Sequence, residues 1–377
     1  MSDQHYDIVI IGGGVSGCST AYFLASSKDF SGSILVVERE PTYEHSPSAK
    51  ASGGFRQQFS TAENIQIGLF GAHFVKHVDE YLMVDGESPD LGFREEGYLL
   101  LATPEMTPQM RENNDLQREL GAEIEFLNRD DLTRRFPWLN LLGLECGFLG
   151  TRNEGWLDPY SLLQAFRRKA RSLGVTFVHD EAVDITYKGS VVSGVKLKKA
   201  GEVQTGIVVN AAGASGLTTI SNKLGLALPI ESRKRCTFVF DCREDIGVTP
   251  LTIAPEGVAF RPEGTGFITN CAPPPERDPD TQDVEIDYYL FEEHIWPILA
   301  QRVPAFEAIK LTGAWCCHYD VNTLDENMIV DRHPEFSNFF FVGGLSGHGL
   351  QQSPALGRAM SELIIHGTFL TLDLSRF

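Results

Sequence analysis

Positive charge is scarce in this chain. Its 377 residues carry 32 Lys and Arg against 51 Asp and Glu, a formal net charge of −19. So acidic a surface argues against non-specific nucleic-acid binding and against a polybasic membrane patch. Long apolar runs are also missing, and none reaches the roughly 20 residues that span a bilayer. The opening MSDQHY lacks the basic and apolar regions of a signal peptide and the Arg-rich bias of a transit peptide, so a cytoplasmic location is expected. Cysteines number only seven, scattered and odd in count, which favours reduced thiols over a disulfide framework. No HExxH arrangement accompanies the pair His73 and His77, four residues apart, so no metal is expected there.

What is present is organised around Asp7 to Gly17, DIVIIGGGVSG. A β-branched run (Ile8, Val9, Ile10, Ile11) meets Gly12, Gly13 and Gly14, with Gly17 following and a small-residue helix after it. The spacing Gly12-x-Gly14-x-x-Gly17 is that of a dinucleotide-binding βαβ unit. Gly12 makes the tight turn, Gly14 admits a pyrophosphate to the backbone, and Gly17 permits close helix–strand packing. The helix N-terminus offers free N–H groups to the phosphates. A second strand, Ser33 to Val37, ends at Glu38, about 20 residues on, where a carboxylate holds a ribose hydroxyl.

Further along, Ser52, Gly53 and Gly54 beside Arg56, Gln57 and Gln58 suggest backbone brought close to a ligand. Ser60 and Glu63 have capping-box spacing, and Ile65, Leu69, Ala72, Val75 and Val78 give one apolar helical stripe. Gly97 to Ala102 reads as a buried strand, and Gln109 to Leu120 as a polar helix. Asp158-Pro159 starts a helix with Asp as N-cap, ended by Gly174. Strands are expected at 175–178, 182–187 and 191–197, and Ile207 to Asn210 enters the small-residue turn Ala211, Ala212, Gly213. No second GxGxxG exists, so one dinucleotide site is expected. Residues 226–311 read as strands and turns, with Pro273 to Pro279 an exposed surface loop. The strand Phe339 to Val342 feeds the glycine loop Gly343 to Gly349, and Pro354 is expected to open the last helix. Such a loop suits the negative charge that builds on a reduced flavin.

With these pieces in order the chain resembles the D-amino acid oxidase superfamily of FAD-dependent oxidoreductases, which includes glycine and sarcosine oxidases. DIVIIGGGVSG, LDPYSLLQAFRRKA, VVNAAGAS and GLSGHG carry the likeness. It is more similar still to the FAD-dependent oxidoreductase domain-containing protein family, whose mitochondrial member assists respiratory complex I assembly. SGGFRQQFSTAENIQ, GVAFRPEG, YDVNTLDEN and SGHGLQQSPALGRAMSE carry that likeness. The resemblance implies an α/β fold with a Rossmann-like FAD-binding domain (parallel sheet with helices) interleaved with an antiparallel-sheet substrate domain. The FAD domain would comprise 1–90, 150–225 and 318–377, and the cap 91–149 and 226–317.

Carried over by position, Gly12, Gly13, Gly14, Val15, Ser16 and Gly17 would surround the pyrophosphate, with Glu38 and Arg39 at the adenosine ribose. Val183 would clamp adenine through its backbone, beside Ala211, Ala212 and Gly213. Ser52, Gly53, Gly54, Arg56, Gln57 and Gln58 would face the flavin. Gly344, Leu345, Gly347, His348, Gly349, Leu350 and Gln351 would run along its pyrimidine edge. Arg56 and Arg261 are candidates for a substrate carboxylate or the charge of the reduced flavin, a guanidinium fork matching a carboxylate; Tyr319, His348 and Gln351 are further catalytic candidates.

Two departures from sarcosine-oxidase-like relatives matter. Gln351 stands where they carry a lysine, and Phe59 where they carry a second substrate-gripping arginine. Without that fixed charge, reaction with oxygen loses electrostatic help, which favours a dehydrogenase over an efficient oxidase. Cys317 falls where those relatives attach flavin covalently, but the more similar family lacks a cysteine there, so non-covalent FAD is favoured. The expected function is oxidation of the C–N bond of a small amine or amino acid, secondary or N-methyl, with electrons passed to an acceptor protein or quinone. The alternatives are an FAD-binding assembly or scaffold protein with little turnover, and an NAD-dependent dehydrogenase, for which the Gly344–Gly349 loop has no use.

Overall fold

The computed structural model describes residues 5–377. The β-branched run forms the strand β1 (His5–Ile11), followed by the helix α1 (Val15–Ser26) and the strand β2 (Ile34–Glu38). β1 lies at the middle of a sheet ordered Ile329–Arg332, Phe339–Gly343, Gly201–Asn210, β1, β2, Thr176–His179. The last five of these strands run parallel, and Ile329–Arg332 joins them antiparallel. The hairpin Ala182–Lys188 and Val191–Leu197 extends from Gly201–Asn210.

Because side chains alternate along a strand, β1 buries both faces. Ile8 and Ile10 pack with Leu162 and Phe166 of the helix Pro159–Ser172 and with Leu356 and Met360 of the helix Gly349–His366. Val9 and Ile11 pack with Val192 and Val195 of the hairpin and with Leu217 and Ile220 of the helix Gly213–Asn222. α1 packs tightly on β1 because a Cβ at Gly17 would overlap the Gly12 carbonyl. Asp158 caps its helix as expected, its carboxylate accepting the Ser161 N–H at 2.6 Å.

A second, mostly antiparallel sheet lies beside the first. Its order is Ile309–Asn322, Ile230–Cys242, Gly266–Asn270, Ala259–Glu263, Leu251–Ile253, Tyr98–Ala102, Cys146–Gly150, Ile124–Asn128. The strand Ile309–Asn322 runs across the expected division at 317/318 and enters the site region of the first sheet. Among the described residues, no helix is long and apolar enough to cross a membrane.

Several local expectations are corrected. The last helix begins at Gly349, and Pro354 lies inside it. The Leu350 carbonyl, which a proline N–H cannot serve, accepts the Ser353 hydroxyl at 2.9 Å instead. Ser60 and Glu63 make no capping box: the helix Ala62–Lys76 has Thr61 at its N-cap with no side-chain bond, and Val78 belongs to the next short helix. The 226–311 stretch contains helical turns from Tyr288 to Arg302, with a π turn at Phe291–Ile295. The Pro273–Pro279 loop is anchored rather than simply exposed. Asp278 takes Arg235 at 2.7 and 2.9 Å, a bidentate pair invisible to local pattern because its partners are 43 residues apart.

Candidate active site

The β1–α1 turn opens into a cavity of about 620 Å³, within the range of cofactor pockets. One end is walled by Glu38, Arg39 and His45, the middle by Gly12, Gly14, Val15 and Ser16, and the far end by Tyr319, Asp320, Leu345, Gly347, Gly349 and Leu350. Ala211, Ala212 and Gly213 form the opposite side, continued by Ser215, Gly216 and Thr219. Gly12 adopts φ +101° and faces the Ala211 carbonyl so closely that any side chain would collide.

The cradle suits an extended anionic dinucleotide. α1 has no side-chain cap and no acid in its first turn, so its dipole end is free for a phosphate. Glu38 is tied down by the Gly13 and Glu40 N–H groups, each at 2.7 Å, and still forms part of the wall. Ser48, passed over in the sequence, closes the turn by accepting the Val15 N–H at 3.0 Å. Asp320 sits in the same wall, burial pushing its carboxyl up to about 6.

Not every expected residue reaches this cavity. Gly13 and Gly17 support it from behind, through the Glu38 bond and the α1 packing. Val183 is exposed, and its neighbours Asp180, Glu181 and Ala182 form the wall instead. Gly344, at φ +66°, shapes the turn without lining it.

A second cavity of about 210 Å³ shares Ala51, Tyr319, Gly347 and Leu350 with the first. Ser52, Gly53, Gly54, Arg56, Tyr98, Arg261, His348 and Gln351 line it, with Leu251, Ile253, Phe260 and Ile268 as its apolar side. Among the described residues, its wall contains no carboxylate and no lysine. Arg56 Nη1 donates to Tyr98 Oη at 3.3 Å and Nη2 to His348 Nε2 at 3.1 Å, and the guanidinium stands over the Phe59 ring at 4.9 Å. Burial, with the Arg56 charge beside it, pushes His348 down to about 3. The imidazole is therefore neutral and accepts from Arg56 through Nε2. Burial raises the Tyr319 phenol well above its ordinary value.

Arg261 points elsewhere than a free carboxylate-binder would. Nε donates to Ser52 O at 2.8 Å, Nη1 donates to Pro262 O at 2.8 Å and pairs with Glu263. Its charge is matched and its fork braces the Ser52–Gly54 loop. Gln351 is likewise engaged, Oε1 accepting the Arg56 backbone N–H at 2.8 Å. Gln57 and Gln58, expected at the cofactor, turn away into the protein. Both bond to the buried Glu154, Gln57 through its N–H at 2.6 Å and Gln58 through Nε2 at 2.7 Å. No sequence pattern marked Glu154 or Tyr98.

Cys317 lines neither of these cavities but a third of about 190 Å³, with Lys50, Arg235 and Tyr319. Burial pushes its thiol up to about 12, so it stays protonated and weakly nucleophilic. The His73 and His77 rings lie tilted at 32°, centroids 4.3 Å apart, and among the described residues no group of three or more His, Cys, Asp or Glu side chains could hold a metal.

A dinucleotide cradle leading into a second cavity beneath an antiparallel sheet defines a flavin-dependent oxidoreductase of two-sheet architecture. The chain belongs to the DAO family of FAD-dependent oxidoreductases, which matches residues 7–363, and its cofactor is FAD. It is 42% identical over 408 residues to FAD-dependent oxidoreductase domain-containing protein 1 of Xenopus laevis, covering 99% of this chain and 82% of that one. Monomeric sarcosine oxidase of a Bacillus species is 23% identical, over 96% and 93% of the two chains. Among solved structures, L-proline dehydrogenase from P. horikoshii shares the fold with a TM-score of 0.86 at 24% identity, over 98% and 95%. Glycine oxidase from Geobacillus kaustophilus follows at 0.84 and 20%, over 99% and 98%.

Proposed function

We propose that the chain oxidises the C–N bond of a small amino acid, secondary or N-methyl, and passes electrons to an acceptor other than oxygen. The observation that carries the reading is the second cavity: its wall presents the Arg56 guanidinium and, among the described residues, no acid, and it joins the cofactor cavity at Tyr319 and Gly347. A carboxylate meets attraction there and a bare cationic amine does not.

In this reading Gly12, Gly14 and the α1 N-terminus hold the FAD pyrophosphate, Glu38 the ribose, and Ala211 to Gly213 the opposite side. Gly347 to Gln351 run beside the pyrimidine edge. Bound FAD supplies the two-electron acceptor for the substrate hydride. Arg56 grips the carboxylate with the edge of its fork that Tyr98 and His348 leave open. The apolar side of Leu251, Phe260 and Ile268 takes the substrate side chain and excludes water. Neutral His348 keeps Arg56 oriented without adding a competing charge. The absence of lysine from this wall, and the engagement of Gln351 with Arg56, support dehydrogenase over oxidase character.

Anaerobic mixing of the holoprotein with N-methyl and cyclic amino acids tests this. One of them should bleach the flavin, and reoxidation should be faster with a quinone or dye acceptor than with air. A flavin that no member of the panel bleaches would favour FAD binding without turnover.

A further inference from the structure

Arg56 is carried on a stretch of main chain gripped from two sides. On one side Gln351 Oε1, from the last helix, accepts the Arg56 N–H at 2.8 Å. On the other, the Glu154 carboxylate accepts the Gln57 N–H at 2.6 Å and Gln58 Nε2 at 2.7 Å. The amide side chains fasten the same stretch outward, Gln57 to Asn153 O and Gln58 to Tyr98 O, each at 2.9 Å.

Glu154 is 0% exposed and lines none of the three cavities described above. Its place is built to hold it. Gly150 faces it from the strand Cys146–Gly150, where any Cβ would overlap the carboxyl. Asn153 takes φ +62°, and Gly155 approaches Arg94 O too closely for a side chain. The charged or titratable groups facing Glu154 are Arg56 and Tyr98, while Lys76 and Glu95 pair with each other at 2.8 Å near Asn153. A buried carboxyl is costly unless its hydrogen bonds are made, and these are made by the Gln57 main-chain N–H and the Gln58 side-chain amide, the two residues next to Arg56.

We propose that Glu154 is a positioning residue for Arg56: its carboxylate, working opposite Gln351, fixes the Arg56–Gln58 main chain and so aims the guanidinium into the second cavity. The mechanical part stands on geometry alone, and its consequence for substrate binding rests on the reading of Arg56 given above. Two substitutions of similar volume separate positioning from packing. Glu154→Met fills the site with no acceptor, whereas Glu154→Gln keeps one carbonyl oxygen for the Gln57 N–H.

The experiment uses the holoprotein, hydrogen exchange of peptides spanning 54–60, and titration of the flavin spectrum with acetate and benzoate as carboxylate probes. In Glu154→Met, exchange at the Gln57 amide should rise roughly tenfold or more, the scale of a buried donor left without its acceptor. Carboxylate dissociation constants should rise by a similar factor while FAD affinity changes less than about twofold. Glu154→Gln should fall between Glu154→Met and the parent. Unchanged exchange in Glu154→Met, or identical behaviour of the two variants, overturns the positioning role. If the parent binds neither probe, or Arg56→Lys binds them equally well, the functional reading of Arg56 fails instead, and the exchange result still decides the role of Glu154.

Discussion

Arg56 Nη2 lies 3.1 Å from His348 Nε2, a permanent cation donating to a half-buried imidazole. That direction of bonding requires the Nε2 lone pair, so the ring proton sits on Nδ1, beside the Leu345 carbonyl. The imidazole should therefore not titrate between about pH 5 and 8, although a free histidine would. Proton NMR of ring-labelled holoprotein should show a His348 signal constant through that window. A midpoint near neutrality would contradict the arrangement.

The same pair fixes the sign of an acid effect. With His348 held down to about 3, its contribution to stability is complete above its ordinary 6.5 and is lost as pH falls through about 3. Glu154 acts the other way. Burial lifts it from 4.5 to about 7, so its contribution is complete below 4.5 and lost as pH rises through about 7. Glu154→Gln should flatten the stability profile between those values, read as denaturant midpoint against pH relative to the parent.

Arg56→Lys keeps the charge but loses the planar fork that reaches Tyr98 and His348 together. We expect carboxylate affinity to fall about ten- to a hundredfold with FAD content unchanged. Inhibition by simple carboxylates, measured beside the flavin absorbance of purified protein, checks both halves.

Glu38→Ala removes an acceptor shared by the Gly13 and Glu40 N–H groups in the wall of the cradle. FAD affinity should drop about tenfold or more, seen as cofactor lost on gel filtration and regained by adding FAD. Retention equal to the parent would remove Glu38 from the cofactor's contacts.

Gly347→Ala should lose FAD and lower the melting temperature together. The residue stands at φ +90°, and a Cβ there would run into the Tyr319 ring. A positive φ alone costs about 1–2 kcal/mol for an alanine, and displacing Tyr319 disturbs the wall common to both cavities.

The sequence by itself determined the cradle. A β-branched run, three spaced glycines and an acid one strand later are local patterns, and local spacing is enough to build a strand–turn–helix that accepts a pyrophosphate. It also made Asp158 an N-cap, because capping involves residues three apart. Only the tertiary structure decided the substrate end. Arg56 meets His348 across 292 residues and Tyr98 across 42, and Gln57 meets Glu154 across 97. No periodicity connects such positions, so nothing in the sequence told that Gln57 and Gln58 turn inward, that Arg261 is spent on Ser52 and Glu263, or that Gln351 holds a backbone. Pro354 is a local matter instead: Ser353, three residues after Leu350, serves the carbonyl that the proline inside the helix cannot. Short-range sterics wrote the cofactor's cradle, and long-range packing chose which side chains face the cavity beyond it.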